Sequence, residues 1–382
     1  MVRLGGFLME IKDFATRAEW IHESNPKKDN KHIIGLDLGY SGAKVFYEDG
    51  YFCVPNYVTQ ITGELFGSPR KNDIIYEDIE SKKKYFVGEA AIESLETGSI
   101  ANEEALYNRN HYLSTEFLIL ARTAVGMCLW NYKTDGHDIV IQTGLPPAYL
   151  GDEPYIRRAL EGEHIFKLTV GNESRRFHFT IRRENVDVMR QPMGTYYSVV
   201  FDRNGKPTQR LAQFMRSNIM IFDGGFVTLD KFIIKNKGRQ SQSDTSPKLG
   251  MKAVLEEARN LIKRDLGINI SLPAMQNYLK TGFIQKTDLV TLETNEYSIK
   301  KYIEQANRMI REEAFDYIRN EIPDTQFLIM TGGTGSAWLE YFQDMTKKLR
   351  SIQIIEGNSG SGLPNIYSNA RGYYMAQLNG MG

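Results

Sequence analysis

Residues 33–46 read IIGLDLGYSGAKVF. The first residues are apolar enough for a buried strand, and Asp37 stands where that strand ends. Gly39 and Gly42 then predict a tight turn before a second apolar strand. A carboxylate at the end of a buried strand needs a partner, because burying an unpaired charge is unfavourable. We therefore expect Asp37 to have a binding partner.

The composition is that of an ordinary globular chain, with 382 residues, of which 41% are hydrophobic and 25% charged. The length predicts two domains, or one domain divided by a cleft. The chain has 47 basic and 47 acidic side chains, so no general field favours nucleic acid, and direct nucleic-acid binding is not expected. Cys53 and Cys128 lack CxxC spacing, which indicates neither a disulfide framework nor a zinc site and fits a reducing cytoplasm.

No secretory signal or membrane span is expected, because the longest apolar run, 117–130, is short and contains Arg122. Apolar residues at helical spacing predict an amphipathic helix over 7–21. Acids balance bases there, which favours packing on protein over binding to anionic lipid. Residues 23–31, ESNPKKDNK, predict a polar linker, with the globular body starting near His32.

The rest of the chain predicts an α/β fold in which hairpins and long helices alternate. Hairpins are expected at Asp49-Gly50, at the turn 81–84, around GNES at 171–174 and around the glycines of 218–234. Helices are expected over 113–130, 250–266 and 296–322, from Ala337, and at the C-terminus. A short strand over 139–141 is expected to stop at Gly144.

Three segments look alike, because each is an apolar strand that leads into glycines. They read GLDLGYSGAK at 35–44, FDGGFVTLD at 222–230 and LIMTGGTGS at 328–336. Glycines at a strand end allow positive φ and let N–H groups approach an anion such as phosphate. Acids would repel a phosphate unless a divalent cation such as Mg²⁺ stood between them, and Lys44 would add positive charge. One such turn is more often a plain hairpin, but three at wide separations in one chain are a different matter.

The combination resembles the actin-like ATPases, the superfamily shared with DnaK-type chaperones and sugar kinases. DLGYSGAK resembles its first phosphate loop, DGGFVTLD its second, and TGGTG its adenosine motif. VIQTGLPPAYL and VMRQPMGTYY are similar to segments of ParM-type plasmid-segregation ATPases and of archaeal actin relatives. The resemblance covers about residues 32–382 and leaves 1–31 outside.

The resemblance implies an actin-like (ASKHA) α/β fold, with two similar α/β domains around a nucleotide cleft, each with a smaller subdomain. It implies an N-terminal extension over 1–31, a domain I over 32–215 that the C-terminal helix 366–382 joins, and a domain II over 216–365.

The resemblance also implies a role for each matching residue. Asp37 and Asp223 would hold Mg²⁺ through water and take part in catalysis, and Gln191 would orient the attacking water. Plasmid ParM is thought to have Glu in that place, so the subfamily stays open. Nucleotide contacts would come from the three turns, namely Gly39, Tyr40, Ser41, Gly42, Lys44, Gly224, Gly225, Phe226, Gly332, Gly333, Thr334 and Gly335.

The implied activity is hydrolysis of ATP, with GTP left open, coupled to assembly of the chain into dynamic cytoplasmic filaments. A DNA-binding adaptor and plasmid segregation would follow, without direct nucleic-acid or membrane binding. Two alternatives stay open. One is a small-molecule kinase in which Asp37 or a nearby acid deprotonates a hydroxyl. The other is a non-motile cytoskeletal or cell-division relative, which would need a basic amphipathic helix. Filament hand, strand number and cargo are not predicted.

Overall fold

The computed structural model describes residues 18–63, 67–94, 112–132, 137–235, 239–288 and 290–382. Most of the predicted helix over 7–21 lies outside these ranges. The helix prediction was wrong for the end of that segment, because Glu19–His22 forms an antiparallel strand against 50–53. Trp20 anchors this strand, since its Nε1 donates to the Tyr47 hydroxyl at 3.1 Å. The first sheet therefore begins upstream of the predicted start at His32.

Eighteen strands are described. In chain order they are β1 (Glu19–His22), β2 (Lys31–Leu38), β3 (Gly42–Tyr47), β4 (Gly50–Pro55), β5 (Val58–Gln60), β6 (Ile74–Asp78), β7 (Lys84–Val87), β8 (Asp138–Leu145), β9 (Gly162–Val170), β10 (Glu173–Ile181), β11 (Val186–Arg190), β12 (Ile219–Gly224), β13 (Leu229–Lys235), β14 (Arg239–Ser246), β15 (Phe283–Thr287), β16 (Thr294–Ser298), β17 (Phe327–Thr331) and β18 (Gln353–Glu356).

Ten α-helices are described in the same ranges. They are α1 (Glu89–Glu93), α2 (Thr115–Cys128), α3 (Glu153–Leu160), α4 (Gln191–Val200), α5 (Gln209–Phe214), α6 (Met251–Leu266), α7 (Leu272–Thr281), α8 (Lys300–Ile318), α9 (Gly332–Thr346) and α10 (Ser368–Leu378). Within the described ranges, every helix is too short or too polar to span a lipid bilayer.

Two sheets of the same pattern form the two halves of the molecule. The first has the strand order β1-β4-β3-β2-β8-β11 and the second β14-β13-β12-β17-β18. In each, three consecutive strands form an antiparallel meander, and two later strands lie parallel beside the first of them. Strand β1 adds a sixth strand at the other edge of the first sheet. Strands β2 and β12 are therefore equivalent, and the prediction of two similar α/β domains is confirmed.

Strand β2 is buried on both faces. Ile34 and Leu36 face one apolar core, and Ile33 faces another, which also contains residues of α10. At Gly35 helix α10 lies directly on the strand, because an added Cβ would be 2.0 Å from the Ala370 carbonyl oxygen. The apolar run with one glycine in IIGL thus reflects a central strand with a helix packed against its backbone.

Two smaller antiparallel sheets extend the domains. One has the order β10-β9-β6-β7-β5, and the other is the hairpin of β15 and β16. The predicted hairpins at 49–50, 81–84, 171–174 and 225–228 are confirmed.

Three predicted boundaries were wrong. Strand β8 continues through Gly144 to Leu145, because its parallel neighbour β11 pairs with it there. Residues 296–298 belong to β16, and helix α8 begins only at Lys300. Helix α9 begins at Gly332, five residues before the predicted Ala337.

Helices α4 and α10 cross at two glycines. A Cβ on Gly372 would lie 1.6 Å from the Gly194 carbonyl oxygen, so the two backbones are in direct contact. Arg371, buried beside the crossing, donates from Nη1 to the Ser198 carbonyl at 2.6 Å and from Nη2 to the Asp202 carbonyl at 2.7 Å. These bonds satisfy carbonyls at the C-terminal end of α4, which the helix itself cannot pair.

We expect Gly372→Ala to lower the free energy of unfolding by roughly 3 kcal/mol or more, because the methyl group cannot fit without separating the helices. Urea denaturation followed by circular dichroism measures this. Gly151→Ala is the matched control, because a methyl group there meets no atom within 4 Å. Equal stability of the two variants would contradict the backbone contact.

Candidate functional site

A cavity of about 410 Å³ lies between the two halves of the molecule. The first half contributes Asp37, Ser41, Lys44, Cys53 and Gln191 to its lining. The second contributes Asp223, Gly225, Phe226, Met251, Thr331, Gly332, Gly333, Thr334, Ser336, Ala337, Pro364, Asn365 and Ile366, and Asn369 comes from α10. All three glycine turns singled out in the sequence reach this one cavity.

The first turn is a two-residue hairpin. The N–H groups of Gly39 and Gly42 each donate to the other residue's carbonyl, at 3.1 and 3.2 Å. A Cβ on Gly39 would lie 2.5 Å from the Lys44 Nζ, and a Cβ on Gly42 2.7 Å from the Val54 carbonyl oxygen. These glycines are required for close approach, not for positive φ, and of the turn residues only Ser41 lines the cavity.

Asp37 and Lys44 form an ion pair beside this turn. They are direct cross-strand partners on β2 and β3, and Lys44 Nζ lies 3.6 Å from Asp37 Oδ2. Burial raises the pKa of Asp37, and the charge of Lys44 opposes that rise. The sequence predicted Lys44 as a source of positive charge for phosphates, and its pairing with Asp37 was not predicted.

The second turn connects β12 and β13. The Gly225 N–H donates to the Thr228 carbonyl at 2.9 Å. Gly225 and Phe226 line the cavity, whereas Gly224 lies under α9, where a Cβ would be 2.6 Å from the Gly335 nitrogen. Gly224 and Gly335 therefore serve the packing of α9 on β12 and do not line the cavity.

Asp223 is held by side chains from three distant segments. Asn369 Nδ2 donates to Asp223 Oδ2 at 2.8 Å, and Thr195 Oγ1 donates to Asn369 Oδ1 at 2.7 Å and lies 3.0 Å from Thr331 Oγ1. Burial, together with the negative charge of Asp37, raises the pKa of Asp223 to about 6. The two acids therefore act on each other electrostatically, and a cation between them would favour both charged forms.

The third turn is the start of helix α9. Gly332 has φ of 76°, and a Cβ there would lie 2.3 Å from the Gly224 carbonyl oxygen. Thr334 Oγ1 donates to the Gly225 carbonyl at 2.7 Å, which joins the second and third turns. Gly333 is different, because a Cβ there would meet only Ile366, at 3.6 Å. Positive φ is thus needed at Gly332, and Gly333 leaves space in the cavity.

Gln191 is the first residue of α4 and lines the cavity. It lies beyond the end of β11, at the carboxyl end of the parallel strands, the edge where α/β sheets commonly place their sites.

Several lining residues were missed by sequence reasoning. Thr331 is the first residue of TGGTG, and Ser336 and Ala337 follow the motif directly, so all three could have been included by taking the whole motif and extending it by two residues. Asn365, Asn369, Met251 and Cys53 carry no local signal, because only the tertiary fold brings them to the cavity. Tyr40 is also absent from the lining, although the sequence placed it in the first turn.

An ion pair outside the cavity lining links the two halves. Lys280 Nζ of α7 donates to Glu89 Oε1 of α1 at 2.8 Å, and the two side chains are 40% and 35% exposed. This contact joins a helix of the first half to a helix of the second.

Comparisons with known proteins agree with this architecture. Residues 35–194 match the family described as actin like proteins N terminal domain. A 15-stranded ParM filament from Clostridium botulinum has 20% identity and a TM-score of 0.69, with 92% of this chain and 99% of that chain covered. The archaeal actin homologue Ta0583 in complex with ADP has 18% identity and a TM-score of 0.59, with 91% and 99% covered.

Bacillus thuringiensis ParM with AMPPNP has 16% identity and a TM-score of 0.58, with 92% of this chain and 99% of that chain covered. No curated protein sequence matches the chain. The chain has the actin-like fold, and the resemblance to actin-like proteins that its sequence predicted is confirmed.

We expect Gly332→Ala to lower the free energy of unfolding by roughly 1–3 kcal/mol, because a side chain at positive φ is strained and this one would also meet a carbonyl. Gly333→Ala is the matched control, with an expected change well below that. Thermal denaturation of both variants measures the difference. A larger loss at Gly333 than at Gly332 would show that the start of α9 is built differently.

Proposed function

We propose that this chain binds ATP in the cleft, hydrolyses it, and assembles into nucleotide-dependent filaments. The observation that carries the proposal is the meeting of two equivalent strand ends, each with a buried acid, at one cavity that three glycine turns enclose. Two proteins with this fold have structures with ADP or AMPPNP, and a third has the structure of a filament, which supports the proposal.

The donor set fits Mg²⁺. Asp37 and Asp223 are both buried, Lys44 pairs with only the first, and their mutual repulsion favours a cation. Mg²⁺ prefers carboxylate, water and phosphate oxygens, so these two acids would hold it together with the nucleotide. When bound, it would neutralise charge on the phosphates.

The turns supply the contacts for the phosphates and the base. Lys44 and the Ser41 hydroxyl would bind phosphate oxygens from one side, and the N–H groups of the second turn and of the start of α9 from the other. Gly333 leaves room for a flat base and ribose beside the apolar side chains of Met251 and Ile366. Gly39, Tyr40, Gly42, Gly224 and Gly335 would support these groups from behind.

Gln191 would orient the attacking water. Its amide can accept and donate a hydrogen bond without adding charge, and it lines the cavity at the start of α4. Hydrolysis of a phosphoanhydride needs positioning more than covalent chemistry, so an oriented water is the main demand on the protein.

The wider role proposed is that of a cytoplasmic filament that segregates plasmid DNA through a DNA-binding adaptor. The proposed organisation is an extension over 1–31, a domain I over 32–215 joined by 366–382, and a domain II over 216–365. The pairing of β1 with β4 attaches the end of that extension to domain I.

One experiment tests the proposal. The purified chain is given ATP, GTP or ADP with Mg²⁺, or ATP with EDTA, and phosphate release is read beside light scattering and pelleting. We expect release and pelleting with Mg-ATP and neither with EDTA. Gly333→Val, whose side chain enters the cavity, should lose both while it stays folded. Hydrolysis without pelleting would contradict the filament, and binding without hydrolysis would contradict the ATPase.

We expect Gln191→Ala to keep ATP affinity and to lower turnover by about one to three orders of magnitude, the range for losing one positioned group. Assembly should survive, and disassembly should slow, because subunits stay in the ATP state. Phosphate release and light scattering after ATP addition measure both effects. Release at the wild-type rate would assign Gln191 a structural role.

A further inference from the structure

Tyr373 of α10 carries a buried hydroxyl that has no hydrogen-bond partner among the described residues. The side chain is 0% exposed. A buried hydroxyl without a partner is unfavourable, and such groups in native proteins commonly have a functional reason. Neighbouring Tyr374, equally buried, donates its hydroxyl to the Pro26 carbonyl.

The ring of Tyr373 is held by two glycines. A Cβ on Gly194 would lie 2.5 Å from Cε1 of the ring, and a Cβ on Gly144 would lie 2.1 Å from the hydroxyl oxygen. The ring therefore passes between α4 and the end of β8, and the hydroxyl lies over Gly144. Any side chain at Gly144 would collide with it.

The hydroxyl lies near the start of α4. A Cβ on Gly144 would lie 2.1 Å from the hydroxyl oxygen and 3.1 Å from the Cα of Gln191, so the hydroxyl and the backbone of Gln191 are close neighbours. A glutamine side chain has three rotatable bonds, which brings its amide oxygen within reach of this hydroxyl after a rotamer change. Catalytic hydrogen bonds are often absent before substrate binds and form in the complex.

The hydroxyl remains a proton donor. Burial, with the negative charges of Asp37, Asp223 and Asp230, raises the pKa of Tyr373 well above its usual value. The tyrosine therefore keeps its proton under all physiological conditions. An acceptor oxygen close to the hydroxyl is therefore a suitable partner for it.

We propose that Tyr373 is a positioning residue for Gln191: when nucleotide fills the cleft, its hydroxyl donates to the Gln191 side-chain oxygen and fixes the amide that orients water. This assignment rests on the proposed ATPase function. With its oxygen bound by Tyr373, the amide presents its N–H groups in one direction, so they can donate only to groups on the cleft side.

Tyr373→Phe tests the assignment, because it removes only the hydroxyl. Turnover should fall roughly tenfold, the size expected for one hydrogen bond made in the reacting complex, with unchanged ATP affinity. The nucleotide-free variant should have an unfolding midpoint equal to or above that of the wild type, because no bond is lost there. The matched control is Tyr374→Phe, which loses the bond to Pro26 and should unfold earlier while keeping wild-type turnover.

A double-mutant cycle with Gln191→Ala separates action through Gln191 from direct action on water. In the Gln191→Ala background Tyr373→Phe should have no further effect on turnover. A further tenfold loss there would overturn the assignment, as would wild-type turnover in Tyr373→Phe alone or a joint loss of stability and activity. A wild-type chain that binds Mg-ATP without hydrolysing it would overturn the proposed function and the assignment together.

Discussion

Helices α4 and α10 cross with the backbones of Gly194 and Gly372 in contact, and this contact determines where the side chains of the cleft lie. Helix α4 begins at Gln191, and α10 carries Asn369 and Tyr373. A larger residue at the crossing would separate the helix axes and move these groups apart. Arg371 strengthens the same junction by pairing the last carbonyls of α4. The region where α4 and α10 meet is therefore buried and close-packed, and its side chains cannot easily rearrange.

The residue opposite the buried acid differs between the two equivalent sheets: it is a base in the first and an acid in the second. In the first, the cross-strand partner of Asp37 is Lys44, and in the second the partner of Asp223 is Asp230. Burial and the charge of Asp223 raise the pKa of Asp230 well above its usual value, and Thr245 donates to its carboxyl group. Asp230 does not line the cavity, whose acidic and basic side chains are Asp37, Asp223 and Lys44. This is one acid more than base, an imbalance that the proposed Mg²⁺ would offset.

Sequence alone predicts those parts of the site that are contiguous in the chain. Asp37 and Lys44 stand on either side of one turn, and Gly332 and Gly333 follow one strand, so strand and turn signals suffice to find them. Asn369 and Tyr373 lie in a helix without such a signal, and their place depends on a crossing with a helix far away in the sequence. Helix α9 was predicted to start too late because glycines usually break helices, whereas here tight packing on β12 requires them. The short strand β1 was missed for the same reason as Asn369, since its partner β4 is not its neighbour in the chain.

The side-chain contacts that link the two halves differ in burial. The ion pair between Glu89 and Lys280 is partly exposed, and such a pair contributes about 1 kcal/mol or less to stability. The hydrogen bonds from Asn369 to Asp223 and from Thr195 to Thr331 are buried, so the ion pair is the more easily broken of these links between the two halves. A ligand that touches Lys44 on one side and Gly333 on the other makes both contacts only when the two halves are close together. Its tighter binding to that closed conformation would shift the equilibrium between open and closed forms toward the closed one. Gln191 and Tyr373 belong to α4 and α10, which are packed against each other, so the fold sets their spacing. Their distance from a bound phosphate would depend on closure. Orientation of water by the pair would therefore be available only in the closed state.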